Sequence, residues 1–121
     1  TIDAVYNLDD TVRVVIDGLM SKHTPSAVIV DRDRNPVGIA NIVDLLLLPA
    51  GTVGIMKMRQ VRLEKVISVD ENKSVSNALR ILKENNVDIL AIVDSKGKCI
   101  GSLSDREVLL GLGTVVNEIP K

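Results

Sequence analysis

The chain has 121 residues, 45% of them hydrophobic and 26% charged, which is the size and balance of one soluble globular domain, or of two very small ones sharing a core, and not of a disordered segment. Fifteen Lys and Arg against sixteen Asp and Glu leave a net charge of −1, and there is one Tyr with no Phe or Trp, so both the basic excess and the stacking platform of a nucleic-acid binder are missing. No apolar run approaches the ~18 residues of a membrane span, and the single Cys99, set in an apolar strand pattern, reads as a buried small hydrophobe in a fold that needs no oxidising compartment, so a cytoplasmic location is expected.

The elements follow in chain order. Residues 4–6 are strand-like. Val12, Val15, Ile16 and Leu19 then repeat at i, i+3, i+4, i+7, one apolar stripe of an amphipathic helix. Asp10 or Thr11 can cap it, and Gly18 inside it costs about 1 kcal/mol relative to Ala. A β-branched strand at 27–30 ends at Asp31, which opens a polar turn to Pro36, and a second strand covers 37–40. A short apolar helix is expected at 42–48, with leucines at 45, 46, 47 and 48. Successive helical residues point about 100° apart, so four in a row place apolar surface on every side. One sheet cannot bury all of it, which implies a second partner. Pro49 stops the helix, and Gly51 and Gly54 bend the chain into a linker carrying Lys57, Arg59, Arg62 and Lys65. That linker is either a solvated face or a contribution to an anion site.

From residue 66 the order repeats: strand-like 66–69, a helix with Val75, Ala78, Leu79 and Leu82 capped by Ser74, strand 89–93 ending at Asp94, a turn, strand 99–103 and a helix at 105–112. AVIVDRDRNPVGIANIVDLLLL (27–48) aligns without a gap on LAIVDSKGKCIGSLSDREVLLG (90–111), an offset of 63 that pairs Asp31 with Asp94 and Gly38 with Gly101. Each copy reads β-α-β-β-α. Alone it is too small to stand, so two copies sharing a core with pseudo-two-fold symmetry form an α+β fold. The boundaries are 1–48 for the first copy, 49–65 for the linker, 66–112 for the second copy and 113–121 for a tail. Ser104-x-x-Glu107 before an apolar run is also a capping box. Asp9–Asp10 and Asp70–Glu71 read as turn and cap residues.

The pattern of a strand ending in Val-Asp, a turn, then Gly-apolar-apolar-Ser/Thr-x-x-Asp and a helix resembles the CBS domain, named for cystathionine β-synthase. It stands here as VIVD with GIANIVD and as AIVD with GSLSDRE, and two copies in tandem resemble a Bateman module. The resemblance implies a regulatory module without catalysis, binding an adenosyl compound (AMP, ADP, ATP or S-adenosylmethionine) in the cleft between the copies. It also implies a modulated partner or attached domain and a homodimer formed through the helices. In the family pattern the Ser/Thr faces phosphate or ribose, and the Asp accepts from the two ribose hydroxyls. Such charge-assisted bonds suit an ionised carboxylate, and a helix N-terminus favours phosphate. Carried onto this chain, Asp44 keeps the carboxylate while Asn41 replaces the hydroxyl residue; Ser104 keeps the hydroxyl while Glu107 replaces the Asp. Arg106 is a further phosphate candidate, and Val5 and Val69, on the leading strands, complete the candidate ligand-binding set beside the apolar adenine slot.

The position six before the strand-ending Asp, often basic in nucleotide-binding relatives, holds Pro25 and Asp88. Asp88 repels phosphate, so a low-charge adenosyl ligand is easier to accommodate than ATP; His23, a surface residue by default, is the one nearby substitute. Asn41 and Glu107 keep open a second reading, a ligand-free dimerisation scaffold. An enzyme has no support: one His, one Cys, no metal-ligand cluster, no phosphate-binding Gly-rich loop and no Gly-x-Ser-x-Gly.

Overall fold

The computed structural model describes residues 4–105, the side chain of Val75 excepted. The first copy runs β1 (Val5–Asn7), α1 (Val12–Lys22), β2 (Ser26–Val30), β3 (Pro36–Asn41) and α2 (Ile42–Leu46). A 3₁₀ turn at Met58–Gln60 lies in the connection, and β4 (Ser68–Asp70), α3 (Val75–Asn85), β5 (Ile89–Val93) and β6 (Cys99–Ser104) follow. Arg106, Glu107 and most of the last expected helix lie outside the described residues.

The strands form two three-stranded sheets of order β1-β2-β3 and β4-β5-β6, each with one parallel and one antiparallel pair. The architecture is α+β, as expected. The repeat of the sequence is carried into the register: Val5 lies opposite Val28 and Ser68 opposite Ala91, with a bulge at Ile29/Val30 and again at Ile92/Val93. The strand-ending aspartates build the same turn twice. Asp31 Oδ1 accepts from the N–H groups of Asp33 and Asn35, and Asp94 Oδ1 from those of Lys96 and Lys98. Those backbone donors, Asn35 first for Asp31 and Lys98 first for Asp94, hold both carboxyls below the usual carboxylate range.

The stripe of α1 is buried as the periodicity predicts, through Val12, Val15, Ile16 and Leu19. Thr11 caps it, its side chain accepting from the Val14 N–H at 3.3 Å, while Asp10 accepts from the Asn7 N–H at 2.8 Å. The helices α1 and α3 end on twin left-handed residues, His23 (φ 52°) and Asn86 (φ 53°). Gly18 has a packing reason: a Cβ there would stand 1.9 Å from the Tyr6 hydroxyl.

The connection keeps Lys57, Arg59, Arg62 and Lys65 exposed, as a solvated face does, and it also packs on the first copy. Met58 is completely buried, and Val12 and Arg13 donate their N–H groups to the carbonyls of Met56 and Val53, both at 2.8 Å. These are first-turn donors that a helix cannot satisfy itself. Met58 and Arg59 donate in turn to the carbonyls of Asp10 and Leu8. Beyond this the chain crosses to the first sheet, where Glu64 and Ile39 exchange backbone hydrogen bonds of 2.8 and 2.9 Å. Gly38 permits that crossing, since a Cβ would come within 2.5 Å of Leu63 Cβ and 3.1 Å of the Glu64 carbonyl. At the other end of the pair, the Ala4 N–H donates to Ser102 Oγ on β6 at 2.9 Å. Each leading strand stays in its own copy's sheet, and these bonds just ahead of β1 and β4 tie the two copies together. The larger core is shared: Ile89, Ala91 and Cys99 join the first copy's residues, and the buried Cys99 thiol donates to the Gly101 carbonyl at 3.2 Å.

Helix α2 is shorter than the expected 42–48. Leu45 is fully buried, whereas Val43, Leu46 and Leu47 are exposed, Leu47 at 78%.

Candidate functional site

The site is built at the corner where β3 turns into α2. Asn41 caps the helix, its Oδ1 accepting from the Val43 N–H at 2.9 Å, and its Nδ2 donates to Ser26 Oγ at 3.3 Å. Ser26, 2% exposed, donates onward to Asp88 Oδ2 at 3.0 Å, which ties the two copies together. The amide of Asn41 is therefore committed to structure at both ends. It lines a cleft of about 350 Å³ with Ser26, Glu64, Asp88 and Asp105, and among the described residues that lining holds three carboxylates and no cation.

Asp44 stands one turn into α2 and is exposed. It makes no hydrogen bond or ion pair with another described residue. It borders a groove of about 590 Å³ whose far wall is the crossing segment at 61–65. Leu48, Val61 and Leu63 make that groove apolar, and Arg62, Glu64 and Lys65 charge it. The groove falls within the ~300–1,000 Å³ of small-molecule sites. The groove is thus lined by the first copy and by the crossing segment that leads into β4. Glu64 lines both cavities and separates them.

The other sequence candidates are placed apart. Ser104 is buried at the end of β6, opposite Ile89. Val5 packs against the larger core and Val69 belongs to the smaller one, so neither lines the groove at Asp44 or the cleft at Asn41. Arg106 and Glu107 lie outside the described residues. His23 is exposed at its helix end, and the Pro25 carbonyl and its twin at Asp88 accept from the N–H groups of Ile42 and Asp105, closing the two corners. Sequence reasoning missed Glu64 as a lining residue of both cavities. Its one signal was Gly38, whose lack of a side chain marks the crossing.

Among the described residues, no group of three or more His, Cys, Asp or Glu side chains is placed to hold a metal ion, and no helix is long and apolar enough to cross a membrane.

Two copies of the order β-α-β-β with matched registers, turns and third-strand corners define a tandem CBS-type pair. Comparisons agree with that class. Residues 58–113 match the family model described as the CBS domain. A CBS domain-containing protein of Dictyostelium discoideum is 27% identical over 128 residues, covering 94% of this chain and 87% of that protein. The crystal structure of a protein from Methanocaldococcus jannaschii superposes with a TM-score of 0.79 at 26% identity, over 92% of this chain and 55% of that one. A CBS domain-containing protein from Kribbella flavida, 15% identical, shares the fold with a TM-score of 0.77 over 93% of this chain and 94% of its own. The match over residues 58–113 and the shared fold are those of a CBS domain pair. The chain spans about half of the Methanocaldococcus chain and most of the other two.

Proposed function

We propose that the chain is a regulatory module that binds an adenosyl compound between its two copies and modulates a partner or an attached domain. One observation carries the reading: Asp44, exposed and unpartnered among the described residues, borders a groove walled by the segment that leads into the other copy. A carboxylate in that state accepts two vicinal hydroxyls without giving up a bond it already has. The apolar residues beside it, Leu48, Val61 and Leu63, suit a base or a sugar face. Ligand in the groove touches the first copy and the segment that leads into the second, so binding favours one arrangement of the pair, and this is how a signal would reach a partner.

The test is thermal unfolding with AMP, ADP, ATP and S-adenosylmethionine in turn. A ligand at 100 times its dissociation constant adds about 2.7 kcal/mol of stability. No shift with any of the four at millimolar concentration sinks the reading.

A second reading rests on a separate observation. Val43, Leu46 and Leu47 leave an apolar face on α2, as a homodimer formed through these helices requires. Sedimentation tests it: the wild type runs as a dimer and Leu47→Lys as a monomer. A monomeric wild type removes the scaffold reading.

A further inference from the structure

The two strand-connecting turns differ at one position, and that position bridges the copies. Arg34 and Gly97 are equivalent in the repeat, and both are left-handed, with φ of 64° and 79°. Glycine is the ordinary residue at this place in a bulged hairpin turn. Outside the two helix caps, Arg34 is the one left-handed residue among those described that is not glycine. Such a backbone persists only where its surroundings fix it. Here the second copy does so. The Arg34 carbonyl accepts from the Cys99 N–H, and Arg34 Nε donates to the Cys99 carbonyl, both at 2.8 Å. Beside them Lys98 Nζ donates to Asn35 Oδ1 at 3.0 Å. The grip has no twin: Gly97 has no side chain, and Pro36, equivalent to Cys99, has no N–H to donate.

We infer that Arg34 is a one-sided clasp between the copies, a conformational device that holds the turn end of the pair shut and, on release, lets it open while the other end stays closed. A second contact stands at the opposite end of β2, where Ser26 donates to Asp88 at 3.0 Å and the Pro25 and Asp88 carbonyls close the two corners. Releasing Arg34 frees the β5–β6 turn and leaves that contact intact, so the copies tilt about Ser26 and Asp88. The clasp is independent of any ligand in the groove. Cys99, fully buried behind it and the one thiol of the chain, reports its opening.

Labelling of the whole chain with the aromatic disulfide dithiobis(nitrobenzoate), together with amide hydrogen exchange, tests the clasp. The Cys99 thiolate attacks the reagent's disulfide and displaces one thionitrobenzoate anion, so absorbance follows a single event per chain. With closing faster than labelling, the rate tracks the open population. Arg34→Gly keeps the backbone geometry that its twin already uses and removes the charged hydrogen bond. It should raise the labelling rate about tenfold, the order expected for one such bond, and the exchange rate of the Cys99 amide by the same factor. The Ile42 and Asp105 amides at the corners should keep their wild-type rates, and the urea midpoint should hardly move. Lys98→Ala, which removes only the bond to Asn35, should give a smaller rise at the same two groups. Unchanged labelling in both variants overturns the clasp. So does a rise shared by the corner amides with a lowered urea midpoint, since the opening is then global unfolding.

Discussion

Two glycines show how single residues set this pair's geometry. Gly18 sits mid-helix, where Ala is worth about 1 kcal/mol more, yet a Cβ there meets the Tyr6 hydroxyl. Gly18→Ala should therefore destabilise the wild type and stabilise a Tyr6→Leu background, a sign change that a double-mutant cycle reads directly. At Gly38 the obstacle is Leu63 Cβ and a backbone carbonyl, which cannot swing aside. Gly38→Ala should cost about 1–3 kcal/mol in urea unfolding and should also widen the groove at Asp44. A third residue gives a pH test. Asp9 accepts from Arg32 at 2.8 Å and from Arg59, and these bonds lower its pKa from 3.8 to about 2. The unfolded chain takes up this proton first as pH falls, so the stabilisation is whole above the unfolded value and is lost as pH drops through about 2. Asp9→Asn should flatten the acid limb of stability between those two values, and an unchanged limb would assign it to other carboxylates such as Asp31 and Asp94.

Among the elements, the connection between the copies departs most from its sequence reading. Its charges suggested a solvated face and are exposed, but its carbonyls also satisfy the first N–H groups of α1, and Met58 fills the larger core. Met58→Ala should cost about 2–5 kcal/mol, the range for a buried side chain of that size, and a cost under about 0.5 kcal/mol would show that the connection adds nothing to the core. The strands and long helices were legible because their apolar spacing is periodic: the stripe at Val12, Val15, Ile16 and Leu19 needs no tertiary information. The same holds for the Thr11 and Ser74 caps, which local chemistry dictates. Residues 61–65 carry no such period. Their place beside β3 is decided by the lack of a side chain at Gly38 and by one pair of backbone bonds to Ile39, contacts that sequence spacing does not encode.

For the whole molecule, the gapless repeat predicted two equivalent copies, and the matched registers and turns bear this out. The site was half legible. Asp44 was singled out from its motif position, and the structure finds it exposed on a groove; Asn41 shared that motif but is spent on its cap and on Ser26. Glu64, which lines both groove and cleft, comes from the crossing, so only the assembled pair shows its place.

The most direct test of the central claim is the melting temperature of the wild type and of Asp44→Ala with and without AMP. The expected result is a rise of several degrees for the wild type at saturating AMP and little or none for the variant, with equal unliganded melting points. An equal rise in both proteins, or no rise in the wild type, would contradict it.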